Sequence, residues 1–582
     1  MSPNEPDAGR RFGRRGFLAA AGTTAVTAAG CVADIRNIVG RDDPERVSLS
    51  IAALPAEADP VPIRIANRLR SNLQAIGIET SVDLLSLDSF RLDVLVNHDF
   101  DIAIARHSAA RDPDFLYATL HSRFAPESGW QNPYGFTDLE LDEALLEQRG
   151  RSGSARRAII GEILERISRE QPFNPIAFPI ERRAYRMDRI GRVDGKPFDG
   201  GFDLYNLSTK RTLDAMTLAL GDPAPTRNLN PLSVEFRDRG LVMGLLYDQL
   251  AVETPAGVTP WLASEIEWSD STATITLREA RWHDGETVTA EDVAFTYRYL
   301  ADTSLGERDS SVPAPRYRGR IDLVDGTDVT SIRSLDITFD ASRTVAKRAL
   351  LVPILPRHIW RDRNDPAEIG GIEWRDAFTE GLVMSNLPPI GSGPYRYVDH
   401  EQREYLEFER VEDHFIDRID LAHPVETPAD ELRFEVVPNV PTAIEGVSDG
   451  SYDLTLEPLA PDTDLDLLEF GEIAVANPPG FYHVAYNTRN RPLSNTNFRR
   501  VVSRLMDKQH LRDVVFEGHA SVATTPIQRV GWVPEDLRWS GRDPEVPFFG
   551  EDGVLDAAMA RDSLIEAGYR YDDEGVLLGR RR

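Results

Sequence analysis

One stretch near the middle of the chain changes from one hydrophobic period to another. Ala273, Ile275 and Leu277 alternate with polar residues, which is the period of two expected for a half-buried strand. An Asp-Gly pair at 284–285 then signals a turn, and Thr289, followed three positions later by an aspartate, is typical of a helix N-cap. The pattern predicts a strand, a tight turn and a well-capped helix in succession.

Strand and helix patterns also alternate along the first third of the chain. A helix pattern that begins at Pro62 ends at Gly77, the residue type favoured just beyond a helix end. Another runs from Ser154 to Arg169 and stops ahead of Pro172. The accompanying strand patterns cover residues 47–51, 78–84 and 100–105. This alternation predicts an α/β lobe.

Length and charge narrow the class of protein. A chain of 582 residues is too long for one ordinary core, so we expect several lobes. The net charge of −29 argues against nucleic-acid binding, because a phosphate backbone would be repelled. The only lysines are Lys196, Lys210, Lys347 and Lys508. An acidic, lysine-poor chain favours a high-salt organism, such as a haloarchaeon, although a GC-rich genome would also favour arginine.

The amino terminus has the pattern of an export signal. Arg14 and Arg15 form a twin-arginine motif, and the apolar run that ends at Ala29 is too short to span a bilayer. Cys31, the only cysteine, follows as in a lipoprotein signal, whereas a lone cysteine elsewhere is usually a small buried residue. We expect export by the twin-arginine route, lipid attachment at Cys31, and a tether over residues 32–46. This would place the protein on the outer face of the cytoplasmic membrane.

The string LREARWHDGETVTAEDVAFTY, residues 277–297, is far more specific than its parts. It closely resembles the signature of the family 5 solute-binding proteins, the peptide and nickel receptors of ATP-binding-cassette (ABC) importers. The resemblance implies an α/β fold of the periplasmic-binding-protein-like type II class. Two lobes would be joined by a hinge, with an additional small domain as in cluster C receptors. It also implies a peptide-like or other small solute as ligand, and ABC permease and ATPase subunits as partners.

Other motifs of the same family occur in an altered order. Residues 73–180 are similar to the family's carboxy-terminal third, whereas its amino-terminal beginning appears only from residue 216. The last family motif, at residues 567–575, would normally continue into what is here Val47. No motif recurs, which excludes a duplication. We therefore predict a circular permutant that is cut open between about Leu578 and Val47, a change that exposed, neighbouring termini tolerate.

The permutation predicts the domain boundaries. They are 1–31 for the signal and lipidated cysteine, 32–46 for the tether, 47–190 for the second lobe's first part, 191–476 for the first lobe, and 477–582 for the second lobe's remainder. Crossings near Ile190 and Asn477 would form the hinge on which the lobes close.

The loop after the third strand is the first candidate for ligand contact. Peptide-binding relatives carry a tryptophan here, followed by an aspartate that pairs with the ligand's free amine, and these positions align with Arg106 and Ala109. Alternatively the alignment slips and Asp112 serves. Together with His107 and Arg111, Arg106 would make the loop positive. The ligand would then be neutral or anionic at that end, such as an amino-blocked peptide, an oligosaccharide or an organic acid.

Other candidates come from segments that face the cleft in the family. They are Tyr247, Tyr395 at the end of residues 391–395, Tyr482, Asn487 and Trp532. Residues 482–487 form a predicted strand whose backbone could pair with an extended ligand. The aromatic ring at position 532 could equally be packing.

No motif for catalysis or metal binding is found. The chain has no G-x-S-x-G, no P-loop and no H-E-x-x-H sequence, so we expect no enzyme activity, cofactor or metal. Nickel carriage, known in some relatives, stays open, although a single pocket histidine such as His107 or His483 is more often an ordinary polar side chain.

The leading interpretation is a monomeric, lipid-anchored receptor that delivers a solute to an importer. The alternatives are a receptor-like chaperone or sensor without transport, and a secreted hydrolase whose catalytic pair lies hidden in the cleft.

Overall fold

The computed structural model describes residues 45–579 apart from 192, 194, 197, 199, 206, 208, 210–212, 237–239, 255, 370–371, 420 and 422–424. The predicted signal, Cys31 and almost all of the tether therefore lie outside the described residues. Within the described part of the chain, no helix combines the length and the apolar character needed to cross a bilayer.

The first third of the chain alternates strands and helices, as predicted. Its strands are β1 (Ser48–Ala53), β2 (Glu79–Leu84), β3 (Ile102–His107), β4 (Phe173–Pro179) and β5 (Glu181–Tyr185). Its helices are α1 (Pro60–Ala75), α2 (Leu87–Phe90), α3 (Phe115–Leu120), α4 (Leu139–Gly150) and α5 (Gly153–Glu170), with a π-helical segment at Arg91–Val96. Helix α1 begins where Asp59 caps the amide of Val61, and it ends before Gly77, whose φ is +86°.

The middle of the chain is richer in strands. They are β6 (Leu213–Leu220), β7 (Ala251–Thr254), β8 (Gly257–Pro260), β9 (Ala263–Ser269), β10 (Thr272–Leu277), β11 (Val324–Ser331), β12 (Ser334–Phe339), β13 (Pro366–Ile369), β14 (Ile372–Thr379), β15 (Tyr395–Glu401), β16 (Tyr405–Arg410), β17 (Ala429–Val436), β18 (Leu454–Thr455) and β19 (Glu472–Ala476). The helices are α6 (Gly201–Tyr205), α7 (Leu241–Leu246), α8 (Ala290–Ala301), α9 (Arg318–Ile321), α10 (Arg343–Ala346), α11 (Arg357–Trp360), α12 (Glu380–Val383) and α13 (Val440–Asp449).

The last hundred residues return to alternating elements. The strands are β20 (Phe481–Tyr486), β21 (Ala520–Val522), β22 (Gly550–Glu551), β23 (Val554–Leu555), β24 (Arg570–Tyr571) and β25 (Leu577–Leu578). The helices are α14 (Thr496–Ser503), α15 (Lys508–Val514) and α16 (Ala557–Glu566).

The predicted strand, turn and helix of residues 271–300 are confirmed as β10 and α8. The alternating residues Ala273, Ile275 and Leu277 are buried, as a half-buried strand requires. The amide of Thr289 donates to the Asp292 carboxylate (2.9 Å), which forms one half of the predicted capping box.

A six-stranded sheet joins the two ends of the chain. Its order is β2-β1-β3-β20-β4-β21, with β1 parallel to β2 and β3, and β20 antiparallel to both β3 and β4. One apolar core packs Leu69 and Leu73 of α1 with Phe498 and Leu564, and a second core contains Phe115, Ile160 and Phe173. Segments on either side of the middle region thus form one structural unit.

A seven-stranded mixed sheet organises the middle region. Its order is β15-β16-β17-β6-β18-β5-β19. The four-stranded antiparallel sheet β11-β12-β10-β9 shares one continuous core with it, in which Trp261, Tyr299 and Leu432 are buried. We call residues 181–476 the first lobe, and residues 47–180 together with 481–578 the second lobe.

The chain crosses between the lobes at two places. The first crossing lies at Ile180, between β4 of one sheet and β5 of the other, and the second spans residues 477–480. We predicted the first crossing near Ile190. It comes earlier because β5 pairs along its full length with β19, from Glu181 opposite Ala476 to Tyr185 opposite Glu472.

The two ends of the described chain are neighbours. The amide of Val47 donates to the carbonyl of Leu577 (2.8 Å), and that of Gly579 donates to Glu45 (2.9 Å). The Arg46 guanidinium also lies 2.9 Å from the Asp572 carboxylate. Both ends therefore lie on the second lobe, as a permutation at this point requires.

Candidate ligand cleft between the two lobes

The loop between β3 and α3 follows the boundary between the lobes. β3 ends at His107 and α3 begins at Phe115. Before the loop, Arg106 bonds to Glu181 of the first lobe, and at the end of the loop Asp114 bonds to Arg348 of the first lobe. Residues 108–113, the boundary loop, therefore run from the crossing strands to a second contact between the lobes.

The Arg106 guanidinium forms an ion pair at the first crossing. Its partner Glu181 is buried and also lies 2.8 Å from Arg183. Burial raises the pKa of Glu181, but the charges of Arg106 and Arg183 lower it more, so its pKa falls below the ordinary value. The positive charge that we expected Arg106 to offer a ligand is thus balanced by Glu181.

The two candidate histidines lie in an aromatic cluster. The His107 ring stacks on Phe481 at 5.0 Å between centroids and meets His483 edge-on at 5.5 Å. His483 lies 3.0 Å from the Ala105 carbonyl and 3.2 Å from the Tyr134 hydroxyl. Burial lowers the pKa of His483 to about 4, so it is neutral at physiological pH. Both rings are buried in the second lobe, and the ligand contact predicted for His107 stays a prediction.

Asp112 is bound by protein donors on both carboxylate oxygens. Arg156 donates to them at 2.6 and 2.9 Å, and the Asp114 amide donates at 2.8 Å. Burial raises the pKa of Asp112, but the hydrogen bonds from Arg156 and the charges of Arg348 and Arg156 outweigh it, and the pKa is lowered. In the alternative alignment a ligand amine would have to share this carboxylate with Arg156. Ala109 is partly buried against the second lobe's core, whereas Arg111 is exposed.

The tyrosine candidates of the first lobe are fully buried. The Tyr247 hydroxyl accepts a hydrogen bond from Asn386 (2.7 Å), and that of Tyr395 donates to the Ala429 carbonyl (2.6 Å). The segment before Tyr395 packs on α7 so closely that a Cβ on Gly391 would lie 1.9 Å from the Leu246 carbonyl oxygen. Both side chains belong to the apolar core of the first lobe, and their predicted ligand contacts stay predictions.

The remaining candidates occupy three places in the second lobe. Tyr482 lies opposite Arg106 in the sheet and donates to Asp59 (2.9 Å). Asn487, beyond the far end of β20, bonds to the carbonyls of residues 98 and 100. Trp532 lies in a groove of about 760 Å³ between α5 and residues 531–538, with the Arg157 guanidinium 5.3 Å from the ring centroid. The structure therefore brings together Arg106, His107 and Tyr482, but not the full predicted set.

Sequence reasoning missed the arginine that contacts both crossings. Arg529 donates to the carbonyls of Phe178 (3.1 Å) and Pro478 (3.0 Å), and burial lowers its pKa to about 10. No motif surrounds this residue, so only the fold reveals its position. No group of three or more His, Cys, Asp or Glu side chains that could hold a metal ion occurs among the described residues.

Comparison with known proteins gives the family. A family model described as bacterial extracellular solute-binding proteins, family 5 Middle, matches residues 257–580. Oligopeptide-binding protein AppA of Bacillus subtilis is 22% identical over 303 residues, which cover 51% of this chain and 48% of that protein. Heme-binding protein A of Haemophilus influenzae is 26% identical over 188 residues, covering 31% and 30%. The chain thus spans about half the length, or less, of these curated relatives, both of which are binding proteins by name.

Solved structures resemble this chain at low sequence identity and low TM-score. The crystal structure of Bacillus subtilis AppA with a nonapeptide has a TM-score of 0.44 and 18% identity, covering 62% of this chain and 66% of that one. The structure of NikZ from Campylobacter jejuni with Ni(L-His) has a TM-score of 0.43 and 18% identity, covering 63% and 66%. The family model alone covers more than half of the chain, and the protein therefore belongs to the bacterial extracellular solute-binding proteins of family 5, with their mixed α/β, type II periplasmic-binding-protein-like fold.

Proposed function

We propose that this protein is an extracytoplasmic receptor that captures a small solute between its lobes and delivers it to an ABC importer. The family match over residues 257–580 carries the proposal. Two lobes connected by crossings at Ile180 and residues 477–480 support it, because such paired connections are the usual hinge of closing domains. The partners would be the permease and ATPase subunits, with the receptor acting as a monomer.

Native mass spectrometry tests this proposal directly. Protein purified from its own host under non-denaturing conditions should carry one small solute per chain, released on denaturation. A protein that carries no solute, and that binds none from an extract of the host's growth medium, would contradict the proposal.

The solute should not depend on a free amino group. Ala109 has no carboxylate, and Asp112 is bound through both oxygens by Arg156, so the boundary loop offers a ligand ammonium no unshared carboxylate. A charge-assisted hydrogen bond of that kind is worth about 1.5–3 kcal/mol. We therefore propose a solute that is neutral or anionic at this end, and Arg111 is the exposed cation that remains in the loop to meet it.

Calorimetric titration in high salt distinguishes a ligand without a free amine from one that needs a free amine. Amino-blocked short peptides should bind at least tenfold more tightly than the same peptides with a free amine. Submicromolar binding of the free-amine form that is lost in Asp112→Ala would show that Asp112 serves as the amine anchor.

We also propose that the chain is a circular permutant of its family. The hydrogen bonds between Val47 and Leu577 and between Glu45 and Gly579 support this, since the ends lie where the family order would join them. A chain reopened between β5 and β6, with residues 578 and 47 joined by a short linker, should fold with unchanged thermal stability. Failure of that chain to fold would count against the permutation.

The twin-arginine signal and Cys31 lead us to propose a lipid-anchored protein on the outer face of the cytoplasmic membrane. Cys31→Ser should move the protein from the membrane fraction to the medium, and retention in membranes would contradict the anchor.

The net charge of −29 with four lysines leads us to propose a halophilic, haloarchaeal source. Melting in molar KCl should then occur several degrees above melting in dilute buffer, and a melting temperature indifferent to salt would contradict this origin.

A further inference from the structure

The lobes are bonded to each other at the end of the boundary loop that lies away from the crossings. Asp114 of the second lobe has a fully buried side chain. It accepts hydrogen bonds from Arg149 (2.7 Å) and Gln148 (2.7 Å) of its own lobe, and it pairs with Arg348 of the first lobe. One buried carboxylate thus joins cations from both lobes.

A second carboxylate has the reciprocal arrangement. Asp322 belongs to the first lobe, where Arg318 lies 3.2 Å away. From the second lobe it accepts hydrogen bonds from the Tyr117 hydroxyl (2.7 Å), Arg123 (3.2 Å) and Arg149 (3.4 Å). Each of the two lobes therefore contributes both a carboxylate and a cation to this contact between them.

Further bonds extend the contact on both sides. Arg318 meets the Glu127 carboxylate with Nε at 3.1 Å and Nη2 at 3.2 Å, a two-point pairing across the lobes. On the other side, the Ser342 amide of the first lobe donates to the Arg149 carbonyl (2.8 Å). The backbones approach so closely that a Cβ on Gly319 would lie 2.8 Å from the Ala118 side chain.

We infer that these residues form a latch that holds the lobes closed through direct bonds, in addition to whatever a bound solute contributes. The latch consists of Asp114, Tyr117, Arg123, Glu127 and Arg149 on the second lobe, and of Arg318, Asp322, Ser342 and Arg348 on the first.

The pairing within each lobe makes the latch reversible. When the lobes separate, Asp114 keeps Arg149 and Asp322 keeps Arg318. Opening therefore leaves both carboxylates paired, and water can solvate the groups that lose a partner. A contact that left an unpaired buried charge on either side would instead resist opening strongly.

The latch is also continuous with the boundary loop. Asp112 lies near the end of this loop and Asp114 directly follows it. Arg348 lowers the pKa of Asp112 by its charge while it pairs with Asp114. At the other end the loop follows Arg106, which pairs with Glu181 at the crossing. A solute that moves the boundary loop would thus act on the latch without touching it.

The test uses the purified mature protein after any co-purifying solute has been removed by denaturation and refolding. Arg348→Met removes the first-lobe cation that pairs with Asp114 and keeps a side chain of similar length. Lys347→Met is the matched control, since Lys347 has no ion pair among the described residues. Glu127→Gln is a second variant that is expected to fold, because Glu127 is 26% exposed. Small-angle scattering reports lobe separation, and hydrogen exchange reports the cross-lobe amide of Ser342.

Both latch variants should raise the radius of gyration and speed exchange at Ser342 at least tenfold, while Lys347→Met matches the wild type. If Arg348→Met does not fold, Glu127→Gln still decides the test. Glu127 does not bond to Ser342, so faster exchange of the Ser342 amide in this variant can arise only from opening of the lobes. Unchanged scattering and exchange in Glu127→Gln, or exchange that rises only around the substituted residue, would overturn the latch. Neither readout depends on the nature of the solute, so failure here leaves the proposed receptor function standing.

Discussion

The two regions where the lobes meet are held together in different ways. At the crossings, continuous backbone joins the lobes at Ile180 and at residues 477–480. Each side of the first crossing is fixed within its own lobe, by β5 pairing with β19 and by the Ile180 amide donating to the His519 carbonyl (2.9 Å). At the latch end, the bonds are made mainly by side chains, with the Ser342 amide as a backbone exception. Continuous strands keep their register, whereas side-chain ion pairs can separate and be solvated. The crossing end is therefore suited to be the pivot, and the latch end to open.

Removing the acid at the crossing should have the largest effect on stability. Glu181→Gln leaves Arg106 and Arg183 without their shared carboxylate, and loss of one partner of a buried pair costs about 3–5 kcal/mol. Guanidinium-induced unfolding measures this loss. Glu79→Gln on the exposed edge strand β2 is the control, expected within about 0.5 kcal/mol of the wild type. Equal stability of the two variants would show that the crossing does not depend on this ion pair.

Acid should lower the stability of the folded protein through His483, which lies in β20 of the second lobe. Its pKa is lowered from 6.5 to about 4 by burial, so the unfolded chain binds the proton first. The stabilisation is complete above pH 6.5 and is lost as the pH falls towards 4, by about 3 kcal/mol over this range. His483→Gln should lack this part of the pH dependence of unfolding, whereas His400→Gln on β15 should keep it. A wild-type slope in His483→Gln would contradict the assignment.

At the latch, Asp322→Asn should have a smaller effect on global stability. Asp322 accepts from three donors of the other lobe, and hydrogen bonds to a charged group are worth about 1.5–3 kcal/mol. Because Asp322 is 14% exposed and water can replace these donors, we expect the lower end of that range. Asp325→Asn, on the exposed side of β11, is the control for urea unfolding. A loss as large as that of Glu181→Gln would remove the distinction between pivot and latch.

Local elements were predictable from the sequence, because their signals lie within a few residues. The strand, turn and helix around Thr289 follow from a period of two and a capping box, and both are seen. The first crossing was harder, since β4 and β5 form one nearly continuous run in which only Ile180 separates the two sheets. Nothing in the local pattern distinguishes strands that pair with different partners.

The site was less predictable than the fold. The family alignment located the boundary loop, but the pairing of Arg106 with Glu181 and of Asp112 with Arg156 depends on residues far apart in sequence. The latch escaped prediction for the same reason, because Asp114 and Arg348 are more than 200 residues apart and no local pattern pairs them.

Hydrogen exchange with and without the solute that co-purifies with the protein tests the central claim most directly. The account predicts slower exchange in residues 108–113, the boundary loop, and at Ser342 when the solute is bound, because the solute lies between the lobes and favours closure. Protection confined to the groove around Trp532, with unchanged exchange in the boundary loop, would contradict it.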